Sequence, residues 1–180
     1  MEKIIETERL ILREVDYLDK EGLFDLDSKP EVHRYIGTKP LTQIDQALDV
    51  VRLLQSQYKK NGIGRWAVID KLSQEFLGWS GLKLWNEPLN NHCGVYELGY
   101  RFIPTYWGKG YATESAQAWV DYAFEVLNVN TLYAITDPEN TNSKQVLRKV
   151  GFLEGALFDF EGEQTSWFEL PKSNWVSSFK

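Results

Sequence analysis

An alternating segment, a proline and a glycine loop precede one amphipathic helix, and this succession constrains the fold more than any other stretch of the chain. Val95-Tyr-Glu-Leu-Gly-Tyr-Arg-Phe102 alternates at period two, with Val95, Glu97, Gly99 and Arg101 on one face and Tyr96, Leu98, Tyr100 and Phe102 on the other. Pro104 has no N–H for a ladder, so the strand must end or splay there. Gly108 and Gly110, on either side of Lys109, reach backbone angles closed to residues with a Cβ. Ala112, Ala116, Trp119, Val120, Ala123 and Leu127 then form an apolar stripe at helical period. A small-residue loop that opens a helix directs unpaired N–H groups at one point, with the positive end of the helix dipole behind them. Such a point suits an anion, phosphate above all. Taken alone, the stretch fits both a phosphate site and a plain turn. Two familiar loops are excluded by spacing. A Walker loop needs G-x-x-x-x-G-K-[ST], whereas Lys109 lies between the glycines, and a dinucleotide fingerprint needs glycine where Thr113 stands.

The remaining elements read as a mixture of strands and helices. Arg9–Arg13 is a first strand, followed by a short helix over Leu18–Leu26 and one or two helical turns over Glu31–Ile36. His33 in that segment reads as a surface or half-buried residue without a partner in sequence. Thr42 is the expected cap of a helix carrying Ile44, Leu48, Val51, Leu54 and Tyr58 and ending near Asn61-Gly62. Trp66–Ile69 and Phe76–Leu84 read as a hairpin. Thr131–Thr136 has a buried-strand pattern, and Asn142 or Ser143 can cap a helix that Gly151 closes. The last strands are Phe152-Leu153, Ala156–Phe160 and Ser166–Leu170, the last two joined through Glu161-Gly162-Glu163. Trp66, Trp119 and Trp167 fall in apolar patterns and read as core, whereas Trp79 and Trp85 are candidates for the wall of a substrate cleft.

With 180 residues, 43% hydrophobic and 14% aromatic, the chain can bury a substantial core and reads as one α+β domain over 1–180. A net charge of −6 argues against a general nucleic-acid binder and mildly favours an amine-bearing partner. The single Cys93 excludes an internal disulfide, and His92 beside it lacks a second pair at metal-ligand spacing, so no metal is expected. No apolar signal core or membrane-length run is present, and the expected location is cytoplasmic. Terminal aromatics such as Trp175 and Phe179 are available to cover a second copy in a homodimer.

Downstream, Asn140-Thr-Asn-Ser143 is followed by Leu147-Arg-Lys-Val-Gly-Phe152, about thirty residues after Gly-Lys-Gly-Tyr-Ala-Thr-Glu. The pair of motifs resembles the GCN5-related N-acetyltransferases (GNAT). Thr7-Glu-Arg-Leu-Ile-Leu-Arg13 and Glu97-Leu-Gly-Tyr100 point to the ribosomal-protein-alanine acetyltransferase (RimJ/RimL-like) branch. The likeness runs from Thr7 to Leu170. It implies a three-layer acyl-CoA N-acyltransferase fold, with a mixed, mostly antiparallel sheet that has a splayed strand pair and flanking helices.

The resemblance also implies roles. Main chain at Phe102 and Ile103 would bond the pantetheine arm of acetyl-CoA, and Gly108, Lys109, Gly110, Tyr111, Ala112 and Thr113 would hold its pyrophosphate. Trp107 replaces the polar residue that opens the family's loop. Asn140 and Ser143 would line the thioester end, while Arg148 and Lys149 are either phosphate neighbours or solvated helix residues. The implied reaction is direct attack of a primary amine, such as a protein amino terminus, on acetyl-CoA. A partly buried carboxylate suits the base, and Glu97 is the choice, unless it is only a salt-bridged partner of Arg101. Glu161 is the second candidate, and Ser143 is the candidate proton donor to the thiolate. Two alternatives stay open, a small-amine acceptor (polyamine, amino sugar or antibiotic) and a non-catalytic acyl-CoA-binding module.

Overall fold

The computed structural model describes residues 4–176. Alternating segments bring eight strands into one sheet, β1 (Ile4–Glu6), β2 (Leu10–Arg13), β3 (Arg65–Asp70), β4 (Phe76–Trp85), β5 (Val95–Phe102), β6 (Thr131–Thr136), β7 (Leu153–Phe160) and β8 (Glu163–Pro171). Their spatial order is β1-β2-β3-β4-β5-β6-β8-β7. Every neighbouring pair is antiparallel except β5 and β6. β1 was not legible in sequence, because it is three residues long and pairs only with β2.

Among the described residues the α-helices are α1 (Lys20–Asp27), α2 (Pro30–His33), α3 (Ile44–Asn61), α4 (Tyr111–Glu125) and α5 (Thr141–Lys149). The apolar stripe of α4 buries Ala116, Trp119, Val120 and Ala123, and the Trp119 ring meets Trp66 of β3 edge-on at 4.9 Å. Leu127 lies past the end of α4, yet still packs on the core. On the other face, α1 packs against α3 and β4. This gives the three layers and the mostly antiparallel sheet that the resemblance implied. Among the described residues, no helix is long and apolar enough to cross a membrane.

Several local expectations need correction. Gln43, not Thr42, is the cap of α3, because the Gln46 side-chain carbonyl accepts from both the Thr42 and Gln43 N–H groups (2.8 and 2.9 Å). His33 is buried, with its ring nitrogens 2.8 Å from Thr38 Oγ1 and 2.7 Å from the Asp27 carbonyl. Trp175 does not offer its indole outward. The indole donates to Asp121 of α4 at 2.8 Å, and the ring lies 5.4 Å from Phe124. Phe179 lies outside the described residues.

Candidate active site

β5 carries two chemistries because its side chains alternate. Glu97 and Arg101 face the α1 side, where Arg101 pairs with Asp27 at 2.6 Å. Tyr100 faces the α4–α5 side, where its hydroxyl lies 3.0 Å from the Ser143 carbonyl and 3.1 Å from Ser143 Oγ. Between the faces runs a gap. β5 and β6 meet at the Glu97–Tyr133 pair and diverge beyond it. Ile103 N–H donates to the Leu77 carbonyl at 3.0 Å, which fixes the ladder so that the main-chain groups of Tyr100 and Phe102 turn away from β4, toward the gap.

The loop after β5 closes one end of the gap. Residues Pro104–Tyr106 form a single 3-10 turn, with Tyr106 N–H donating to the Ile103 carbonyl at 2.9 Å, so both main-chain groups of Ile103 are in use. The Trp107 indole donates to the Phe102 carbonyl at 2.7 Å and so belongs to the loop's own scaffold. Gly108 (φ 74°) and Gly110 (φ 84°) take left-handed angles, and Gly110 is the cap residue of α4. No side chain caps that helix, so the N–H groups of Tyr111, Ala112 and Thr113 have no acceptor within it. An anion is the natural partner for these donors.

A staple from the start of the chain holds the loop. Glu114 accepts from Thr7 Oγ1 (2.5 Å), Arg9 N–H (2.9 Å) and Arg9 Nε (2.7 Å), while Arg9 Nη1 donates to the Lys109 carbonyl (3.0 Å). Burial pushes the Glu114 carboxyl up, but these donors outweigh it and hold the pKa below the ordinary value. Sequence reasoning assigned this glutamate no function, although Thr7–Arg13 and the Thr113-Glu114 pair were both visible.

On the α4–α5 side, Asn140 caps α5, accepting from Ser143 N–H at 3.1 Å, in place of the expected Asn142 or Ser143. Ser143 is half-buried, and its hydroxyl meets Tyr100, a residue that sequence parity placed on the face of Leu98 and Phe102 without giving it a chemical role. Burial pushes the Tyr100 phenol well above its ordinary pKa, so it stays protonated at neutral pH. Arg148 and Lys144 both engage Glu154, at 2.5 and 2.8 Å.

On the α1 side, Glu97 is buried at 6% exposure. Its partner is not Arg101. Glu97 accepts from the Trp85 indole at 2.6 Å and stands 4.0 Å from Arg65 Nη2, with Lys83 directly across the ladder. Trp79 is buried between the guanidinium groups of Arg65 and Arg101 at 4.6 and 5.1 Å from its ring, and half-buried Trp85 meets Phe160 edge-on at 5.7 Å. Both tryptophans thus share the face of Glu97. Glu161 sits exposed on the turn between β7 and β8, near enough to act on the Lys83 charge.

The Acetyltransferase (GNAT) domain matches residues 9–153. The chain belongs to the GNAT N-acetyltransferases. It is similar to the uncharacterized N-acetyltransferase p20 of Bacillus licheniformis, with 35% identity over 86% of this chain and 85% of that protein. A GNAT-family acetyltransferase crystal structure from Bacillus anthracis superposes with a TM-score of 0.79 at 25% identity, covering 95% of this chain and 99% of the other. A 55-residue segment is 49% identical to the spermidine N(1)-acetyltransferase of Escherichia coli, covering 30% of each chain. GNAT enzymes use acetyl-CoA. The residues of this chain fit that donor, since the uncapped first turn of α4 suits its diphosphate and the β5–β6 gap turns the Tyr100 main chain and the Phe102 N–H toward its arm, the Phe102 carbonyl already bonding Trp107.

Proposed function

We propose that this GNAT enzyme transfers the acetyl group of acetyl-CoA to a primary amine by direct attack. The observation that carries the reading is the β5–β6 gap, with a buried carboxylate on one face and a hydroxyl pair on the other. Gly108, Lys109, Gly110, Tyr111, Ala112 and Thr113 hold the diphosphate by main-chain donors, and Asn140 keeps the α5 turn that presents Ser143. Glu97 accepts the proton of the incoming ammonium, directly or through a water, from the α1 face. On the opposite face the Ser143 hydroxyl, held by the protonated Tyr100 phenol, donates to the departing thiolate and recovers its proton from solvent before the next turnover. The proton acceptor and the proton donor thereby lie on opposite faces of the sheet, with the reacting carbonyl in the gap between them. The Thr7–Arg13 and Glu97–Tyr100 segments support a place near the RimJ/RimL-like branch, with a protein amino terminus as acceptor. The short segment shared with spermidine N(1)-acetyltransferase favours a second reading, a small amine. A single, exposed, free Cys93 supports a reducing compartment such as the cytoplasm.

Calorimetric titration of acetyl-CoA into the wild type and Gly110→Glu tests the donor site. The variant puts bulk, negative charge and a Cβ at a left-handed position in front of the α4 donors. Saturable binding in the wild type, lost or weakened at least about a hundredfold in the variant (~2.7 kcal/mol), is the expected result. Absence of binding in the wild type refutes the reading.

A further inference from the structure

The face from which the amine approaches is cationic, although the chain as a whole carries −6. Arg65 lies across β5. Its Nε and Nη2 are 3.6 and 3.7 Å from where a side chain on Gly99 would begin, and its guanidinium stacks on Trp79. Its side chain is 27% exposed, yet Nε is buried without a hydrogen-bond partner, and its nearest carboxylate is Glu97 at 4.0 Å. Burial pulls the Arg65 pKa down, as expected for a cation short of compensation. Lys83 follows the same pattern. Its ammonium sits 3.2 Å from the Trp85 ring centroid, and burial lowers its pKa more than Glu97 raises it, with Arg65 lowering it further.

Beside Lys83, the end of α3 and the end of β4 enclose a cleft of about 240 Å³. Its walls include Gln57, Lys60, Asn61, Lys83 and Asn86 and contain no carboxylate. The charges nearest Arg65 and Lys83 are Glu97, the Arg101–Asp27 pair and, from the β7–β8 turn, Glu161, with Lys60 in the cleft wall; Glu169 shares this sheet face two strands beyond Glu97. A polycation finds no acidic pocket here. A partly exposed guanidinium stacked on Trp79 and an ammonium with no carboxylate within 4 Å, both sharing the single buried charge of Glu97, are instead preorganised to receive an anion.

We infer that Arg65 and Lys83 form an anion subsite beside Glu97, and that the acceptor is a primary amine carrying a carboxylate or phosphate group. The inference rests on the acetyl-transfer reading and deepens it. An anion on the acceptor also favours bringing its ammonium past two cations to Glu97, because the pair arrives without net positive charge.

The test uses matched amines that differ in one group, namely phenylalanine against phenylalaninamide and phosphoethanolamine against ethanolamine, with spermidine as the polycation. Each is titrated by calorimetry into CoA-saturated protein, and turnover of acetyl-CoA is followed by thiol release. The anionic member of at least one pair should bind at least tenfold more tightly than its neutral mate, and the pair preferred tells carboxylate from phosphate. Arg65→Met should reduce that preference to near parity through binding or KM rather than kcat. Lys83→Met, at a half-buried position that tolerates truncation, should reduce it severalfold if Arg65→Met fails to fold. Equal binding within both pairs, preference for spermidine, or an unchanged preference in Lys83→Met and a folded Arg65→Met overturns the subsite, even with brisk turnover. Discrimination in binding without turnover of any amine overturns the proposed reaction and leaves the subsite standing.

Discussion

Removing the Glu114 carboxylate should loosen the Gly108–Gly110 loop from its scaffold, and the structure sets the scale. In Glu114→Ala the Arg9 amide loses its acceptor, which costs about 1–2 kcal/mol for a partly buried donor. The Arg9 side-chain pair is worth less, roughly 0.5–1 kcal/mol, because Arg9 is 41% exposed and screened by solvent. The Thr7 hydroxyl adds a charge-assisted bond, while alanine's higher helix propensity offsets a few tenths of a kcal/mol. The net expectation is a loss of about 2–3 kcal/mol, or roughly 5–10 °C in Tm for a chain of this size. A titration signature separates this account from general disruption. The folded pKa of Glu114 is depressed, so its stabilisation is complete above the unfolded-chain value and vanishes as pH falls through the folded one. Urea melts followed by tryptophan fluorescence should therefore show the full gap between wild type and variant at pH 7 and a narrowing gap below 4.5. Acetyl-CoA affinity should weaken about threefold to tenfold, since Arg9 also bonds the Lys109 carbonyl. A gap under about 0.5 kcal/mol at pH 7, or one independent of pH, would refute the reasoning.

Two predictions concern the reaction itself. Glu97→Gln retains an acceptor for the Trp85 indole but cannot take a proton, so kcat should fall about 10²- to 10⁴-fold and the acidic limb of the pH–rate profile should disappear; an unchanged rate and profile would remove Glu97 as the base. Tyr100→Phe should lower kcat about tenfold with little change in acetyl-CoA affinity, and combining it with Ser143→Ala should cost little more than Ser143→Ala alone. Fully additive losses in that double-mutant cycle would show that the two hydroxyls act separately.

The features legible in sequence were those written locally. The period-two pattern of residues 95–102, the helical stripe of α4 and the glycine pair before it each arise from residues within one element, and they led to the right sheet and family. Caps were less legible, because which polar side chain wins depends on reach. Gln46 reaches back to the amides of Thr42 and Gln43, and Asn140 takes that of Ser143, so each helix begins at a residue other than the one its composition favours. The site's polar partnerships were least visible. Tyr100 and Ser143 are 43 residues apart and Arg9 and Glu114 are 105 apart, so only the folded sheet brings them together. Arg65 drew no expectation from sequence, and its stacking on Trp79 beside Gly99 has no signature in its own neighbourhood.

The strand order also bears on how the protein is made. β6 forms the far wall of the gap, yet it touches β5 through a single paired position, whereas β8 clasps it along six residues from Thr131–Pro171 to Thr136–Ser166. Of the eight described strands β8 is the last in sequence, and it is inserted inside the sheet between β6 and β7 rather than added at the edge. A nascent chain that has already produced the glycine loop and α4 therefore still lacks a wall to complete the gap. The gap is then completed only once β8 has been made, and a chain terminated before Glu163 would keep both sequence motifs and lose the strand that clamps β6.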